Sequence, residues 1–217
     1  MNYTELDQIM MRRALALAQK GMGWTSPNPM VGAVVCHGSE IISEGYHPRA
    51  GEPHAERIAL DLAGERAQGA TLYVTLEPCR HYGKTPPCTR GVIEAGISRV
   101  YIGTADPNIK VSGGGAEELR KAGIEVHLGM LEEPCRELIR TFTKRVTTGM
   151  PWVTLKSAVS LDGKVATRTG ASKWITSEPA RKLVHEKRAE VDGILTGLGT
   201  VLADDPMLDV RMDDAEV

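Results

Sequence analysis

The 217-residue sequence contains one phenylalanine, and aromatic residues make up only 4% of it. So few rings cannot build a base-stacking platform, and a net charge of −2 supplies no broad basic surface for phosphates, which together argue against nucleic acid as a partner. Long apolar runs are also absent: none approaches the roughly 20 residues that a membrane-spanning helix needs. The first twenty residues, MNYTELDQIMMRRALALAQK, mix charges of both signs and place apolar residues at positions 6, 10, 14 and 17. That is the pattern of an amphipathic helix, not of a signal peptide. A cytoplasmic protein that acts on a small molecule is expected. Cysteine is scarce as well, and without an export signal Cys36, Cys79, Cys88 and Cys135 read as free thiols or metal ligands, not as disulfide partners.

What is present fits a packed α/β protein. Hydrophobic residues make up 41% of the chain, enough for a core, while 23 glycines and 12 prolines promise many tight turns without low complexity. After the first helix, VGAVVC and EIISEGY, broken by His37-Gly38-Ser39, predict a hairpin. Helices and strands then alternate: a helix from His54, the strand TLYVTLEP, a short helix ending at Ala95-Gly96, the strand RVYIGTA, the helix GAEELRKAG, the strand IEVHLGM and one long helix to about Val146. Such alternation implies a layered αβα sandwich with a partly parallel sheet. The stretch TTGMP marks a boundary, giving domains of 1–147 and 151–217. The second is expected to hold the strands WVTLKSAV and VDGILTG around the helix EPARKLVHEKRAE, too little for a complete domain.

The stretch HAERIAL poses a chemical question. Ala55, Ile58, Ala59 and Leu62 already supply a buried helical stripe, so His54 and Glu56 need another explanation. Cys79 follows a strand through Pro78, and Cys88 closes the loop PCRHYGKTPPC just before a helix, where a thiolate is favoured. Two thiolates and one imidazole suit Zn²⁺ and leave a fourth position for water, as a catalytic site requires. Glu56, two residues beyond His54, can carry a proton without binding the metal. The order H-x-E…P-C is that of zinc nucleobase deaminases, although eight residues separate the cysteines here where two are usual. A closed structural site would instead recruit His81 as fourth ligand. Cys36 in a strand and Cys135 in a helix read as buried apolar thiols.

Several longer motifs then agree: TSPNPMVGAVV, EGYHPRAGEPHAERIAL, YVTLEPCRHYGKTPPCTRGVIEAGISRVYIGTADPN, LKSAVSLDGKVA, SKWIT and GTVLADDPML. Through them the chain resembles the bifunctional riboflavin-biosynthesis family, in which a pyrimidine deaminase is joined to a pyrimidine reductase. The resemblance implies a cytidine-deaminase-like αβα domain followed by an incomplete dihydrofolate-reductase-like α/β domain. It implies hydrolysis of the 2-amino group of 2,5-diamino-6-(5-phosphoribosylamino)pyrimidin-4(3H)-one, giving 5-amino-6-(5-phosphoribosylamino)uracil and ammonia. In that scheme His54, Cys79 and Cys88 hold zinc, Glu56 shuttles the proton, and Asn28, His47, Lys84 and Asn108 contact the substrate.

For the reductase half the resemblance implies NADPH at Ala158, Trp174, Thr200 and Asp204, and substrate at Ser172, Arg188, Leu208 and Arg211. Family members carry a longer reductase domain, so NADPH is expected to bind this chain weakly or not at all. A homo-oligomer is also implied. Two rival expectations are a zinc deaminase of another base, nucleoside or RNA, and a zinc-stabilised interaction module without activity.

Overall fold

Strands with side chains alternating between two apolar layers organise residues 1–152 in this computed structural model, which describes residues 3–82, 86–108 and 114–212. The strands are β1 (Gly32–His37), β2 (Glu40–Tyr46), β3 (Thr71–Leu76), β4 (Arg99–Thr104) and β5 (Glu125–Leu128), ordered β2-β1-β3-β4-β5. β1 runs antiparallel to β2 and β3, whereas β3, β4 and β5 run parallel. Ala33, Val35, Leu72, Val74, Val100 and Ile102 face one core with residues of α2 (Ala55–Ala63), α3 (Cys88–Glu94) and α4 (Gly115–Lys121). Val34, Cys36, Tyr73 and Tyr101 face the other, against α1 (Glu5–Gln19) and Cys135 of α5 (Glu132–Leu138). The result is the expected three-layer αβα sandwich. Cys36 and Cys135 are both buried, and burial pushes the Cys36 thiol up to about 11 and that of Cys135 up to about 12.

Helices lie close on the sheet where the strands lack side chains. A Cβ on Gly32 would sit 2.0 Å from the Ala14 carbonyl oxygen of α1, and one on Gly45 would sit 2.3 Å from the Ala55 carbonyl oxygen of α2. Glycine at these positions sets the helix height, and at Gly45 it sets the height of the helix that begins at His54.

The α1 layer contains a buried polar cluster. Asp7 closes a capping box with Thr4 at the start of α1, and Tyr73 donates to its second carboxylate oxygen at 2.6 Å. Burial pushes the Asp7 carboxyl up, but hydrogen bonds from Thr4, Tyr73 and Tyr101 outweigh it and hold the group below its ordinary value. A depressed carboxyl contributes stability above the unfolded-state pKa, and the contribution is lost as pH falls through the folded-state value. Tyr73→Phe should therefore cost about 1–3 kcal/mol near neutral pH, and it should flatten the acid limb of the stability curve. Denaturant melts of both chains against pH would show this, and superimposable curves would contradict it. Tyr73 stacks on Tyr101 at 4.8 Å, and Tyr101 stacks on His127 at 4.7 Å, so one ring from each parallel strand forms a ladder.

Two expectations need correction. The long helix to Val146 is two helices, α5 and α6 (Arg140–Thr148), broken at Ile139 with φ −106° and ψ 16°. The bend brings Ile139 and Phe142 onto the α2-side core, while Cys135 stays in the α1-side core. The second unit, Val153–Val217, carries α7 (Glu178–Ala189) and an unanticipated short α8 (Leu198–Asp204), hidden in the sequence by Gly197 and Gly199. Neither WVTLKSAV nor VDGILTG forms a strand, and none occurs among the described residues of this unit. A strand is defined by its ladder to a neighbour, and these runs have no such partner. Leu155 and Leu195 are accordingly almost fully exposed. Among its described residues the expected incomplete α/β domain thus has helices and no strand.

Candidate metal centre and substrate cleft

Three segments meet at the end of the sheet where β3 and β4 finish. His54 is the N-cap of α2, with extended φ −72° and ψ 158°, which turns its ring away from the helix. Cys79 follows β3 by three residues, and Cys88 is the first residue of α3. Their Nδ1 and Sγ atoms all lie within 4.8 Å of one another. His54 Nδ1 is 3.2 Å from Cys88 Sγ and 3.6 Å from Cys79 Sγ. Donors on one tetrahedral zinc, with bonds of roughly 2.0–2.3 Å, lie about 3.6 Å apart. The set fits Zn²⁺ and leaves one coordination position open.

Electrostatics agree with this assignment. The hydrogen bond from the Cys88 thiol, helped by His54 and the Cys88 backbone N–H, holds Cys79 well below an ordinary thiol. The same shared hydrogen bond, with burial, pushes Cys88 well above it, and the bond to Cys79 raises His54. Three donors packed so closely that each shifts the protonation of the others suit one shared cation. Glu56, in the first turn of α2, is 4% exposed, and burial pushes its carboxyl above the usual range. A carboxyl so placed holds a proton more readily than an exposed one and can accept and return it.

The cleft beside these donors is lined by Asn28, His47, Glu56, Asp106, Asn108 and Phe142, among others. His47 is buried, and burial lowers its pKa, so the ring is neutral. Its Nδ1 lies 3.0 Å from the Pro53 carbonyl oxygen, which only accepts, so the ring proton is on Nδ1. Nε2 must then accept from Asn28 Nδ2 at 3.1 Å, which turns the Asn28 amide oxygen away from the ring as a hydrogen-bond acceptor. Asn28, His47 and Asn108 are thus brought to the metal donors, and His81 lines the same cleft. Lys84 lies outside the described residues.

Two cleft residues had no signal in the metal motif. Glu77 is buried, its two carboxylate oxygens accepting from the Ala116 N–H at 2.9 Å and the Asp106 N–H at 3.3 Å. Asp106 accepts from the Asn108 N–H at 2.9 Å, and burial raises its carboxyl. The sequence displayed both, in TLEPC and ADPN, but only the fold shows that they face each other.

In the second unit Arg188 Nη1 donates to the Asp209 carbonyl oxygen at 2.8 Å, while Arg211 pairs with the Asp209 carboxylate at 3.2 Å. Leu208, with φ 54°, directly precedes Asp209, so these three expected substrate positions are neighbours. Ser172 and Ala158 lie in irregular segments, Thr200 and Asp204 lie on α8, and Trp174 is 70% exposed beneath the Arg181 guanidinium.

Two family models match the chain: the cytidine and deoxycytidylate deaminase zinc-binding region over residues 4–104 and the RibD C-terminal domain over 151–217. The riboflavin biosynthesis protein RibD of Aquifex aeolicus is 54% identical over 98% of this chain and 60% of its own length. RibD of Escherichia coli is 51% identical over 97% of this chain and 57% of its own. This chain therefore spans between 55% and 60% of the length of the curated relatives it matches. A solved deaminase/reductase from Thermotoga maritima, described as a diaminohydroxyphosphoribosylaminopyrimidine deaminase/5-amino-6-(5-phosphoribosylamino)uracil reductase, superposes with a TM-score of 0.92 at 51% identity. It is covered over 60% of its length by 96% of this chain. The Aspergillus oryzae Rib2 deaminase, 26% identical, aligns with a TM-score of 0.51 over 64% of this chain and 93% of its own.

Proposed function

Because the chain is homologous to the RibD riboflavin biosynthesis proteins along almost all of its length, we propose that residues 1–147 form a zinc-dependent pyrimidine deaminase domain. The substrate of this reading is 2,5-diamino-6-(5-phosphoribosylamino)pyrimidin-4(3H)-one, and the product is the corresponding 5-aminouracil. The observation that carries it is the juxtaposition of the His54, Cys79 and Cys88 donors with buried Glu56 at one end of the cleft. Zinc, which His54, Cys79 and Cys88 would hold, would supply the Lewis acidity that makes water a nucleophile near neutral pH. Glu56 takes a proton from the attacking water and returns it to the departing amine. A C–O bond replaces a C–N bond, and ammonia leaves. Asn28, its amide oxygen oriented through His47, accepts from a ring N–H, and Asn108 and Lys84 hold the remainder of the substrate. Free, buried Cys36 and Cys135 in the α1-side core suit the reducing cytoplasm, and a homo-oligomer is part of this reading.

Residues 151–217 belong in this reading to the reductase, with NADPH at Ala158, Trp174, Thr200 and Asp204 and substrate at Ser172, Arg188, Leu208 and Arg211. No strand supports those positions among the described residues of the second unit, so little NADPH affinity is expected from this chain. One assay tests both halves: ammonia release from the diaminopyrimidine by zinc-loaded protein, with NADPH absorbance followed in the same cuvette. Ammonia without NADPH oxidation is expected. Absence of ammonia would remove the deaminase assignment, and NADPH oxidation would overturn the expectation for the second unit.

A further inference from the structure

We infer that Glu77 is a positioning residue that sets the Asp106–Asn108 wall of the substrate cleft, acting through Asp106. This rests on the deaminase reading and adds a residue that the metal motif does not contain. Glu77 stands where three pieces of chain join. Its backbone N–H donates to the Thr104 carbonyl oxygen at 2.9 Å, extending the β3–β4 pairing to the sheet's end. Its carboxylate takes the Asp106 N–H, at the start of the cleft-lining segment, and the Ala116 N–H in the first turn of α4. Two residues later in the chain is Cys79. The joint is tight on its far side too, since a Cβ on Gly115 would lie 2.0 Å from the Pro78 carbonyl oxygen.

A buried carboxylate with an N–H on each oxygen is a fixed two-point clamp, because each charge-assisted bond restrains a different segment. The Asp106 N–H fixes the turn in which Asp106 Oδ1 accepts the Asn108 N–H, and thereby the direction in which both side chains meet a substrate. Glutamine keeps the volume but offers only one acceptor oxygen, so its amide group would confront one of the two N–H donors. The substrate wall would loosen while His54, Cys88 and Glu56, held by α2 and α3, would stay in place.

The test is Glu77→Gln, with zinc content, KM and kcat for ammonia release, and amide exchange of Asp106 measured beside the parent chain. The expected result is a roughly 10-fold or larger rise in KM with kcat within about 3-fold, the signature of lost uniform binding. Zinc should stay stoichiometric, and Asp106 exchange should speed up about 10-fold or more. A fall in kcat at constant KM, the mark of an interaction made only in the transition state, would overturn the inference, as would unchanged KM. If the variant does not fold, amide exchange in the parent chain decides: a protected Asp106 N–H supports the clamp, and one exchanging as fast as a free loop amide refutes it. Should the parent release no ammonia, the deaminase reading falls alone, because faster Asp106 exchange in Glu77→Gln still supports the clamp and unchanged exchange still refutes it.

Discussion

Replacing Glu56 by Gln is expected to leave one zinc per chain and to lower kcat for ammonia release by about 10³-fold or more, within the range that general acid–base groups contribute. Glu56 is 4% exposed, so bulk water has little access to it to substitute for the lost proton carrier. Its burial also raises its pKa, which suits a group that must hold a proton briefly and then give it up. Glutamine has nearly the same shape and donates nothing to the metal, so fold and metal content should not change. Metal analysis paired with single-turnover ammonia release separates the two effects. Activity within a few-fold of the parent would take Glu56 out of the mechanism.

Cys88→Ser should act in the opposite way, on the metal first. The hydroxyl stays protonated at neutral pH and is a poor zinc ligand, although it and the backbone N–H of residue 88 can still donate to Cys79. Zinc per chain should fall well below one after dialysis against a weak chelator, with ammonia release falling in parallel. The sheet should survive, because both apolar cores are built from other residues except where α3 adds Val92. Far-ultraviolet circular dichroism close to that of the parent is therefore expected. Full zinc with normal turnover would show that Cys88 is not a ligand.

Much of the first domain was legible in the sequence because its signals are local. VGAVVC and TLYVTLE are continuous apolar runs bounded by turns, as strands buried on both faces must be, and the stripe in HAERIAL leaves two polar residues unexplained. The metal donors could be named because each sits beside a recognisable element end. Glu77 and Asp106 were not legible as partners, since their pairing depends on the parallel register that aligns Leu76 with Thr104. The break at Ile139 was missed for a similar reason: no glycine or proline marks it, and only the pull of two different cores bends the chain there. In the second unit, β-branched and apolar residues in WVTLKSAV suggested a strand, but propensity without a hydrogen-bonding neighbour makes none.

The ladder of Tyr73, Tyr101 and His127 has an optical consequence. Tyr73 and Tyr101 are almost completely enclosed and rigidly stacked, whereas Trp24, Trp152 and Trp174 are between 42% and 70% exposed. Chiral near-ultraviolet signal depends on fixed aromatic surroundings. The tyrosine band should therefore report the integrity of the central sheet, and tryptophan emission should report the periphery. Two chromophores already in the chain thus divide its unfolding into inner and outer events, without a label.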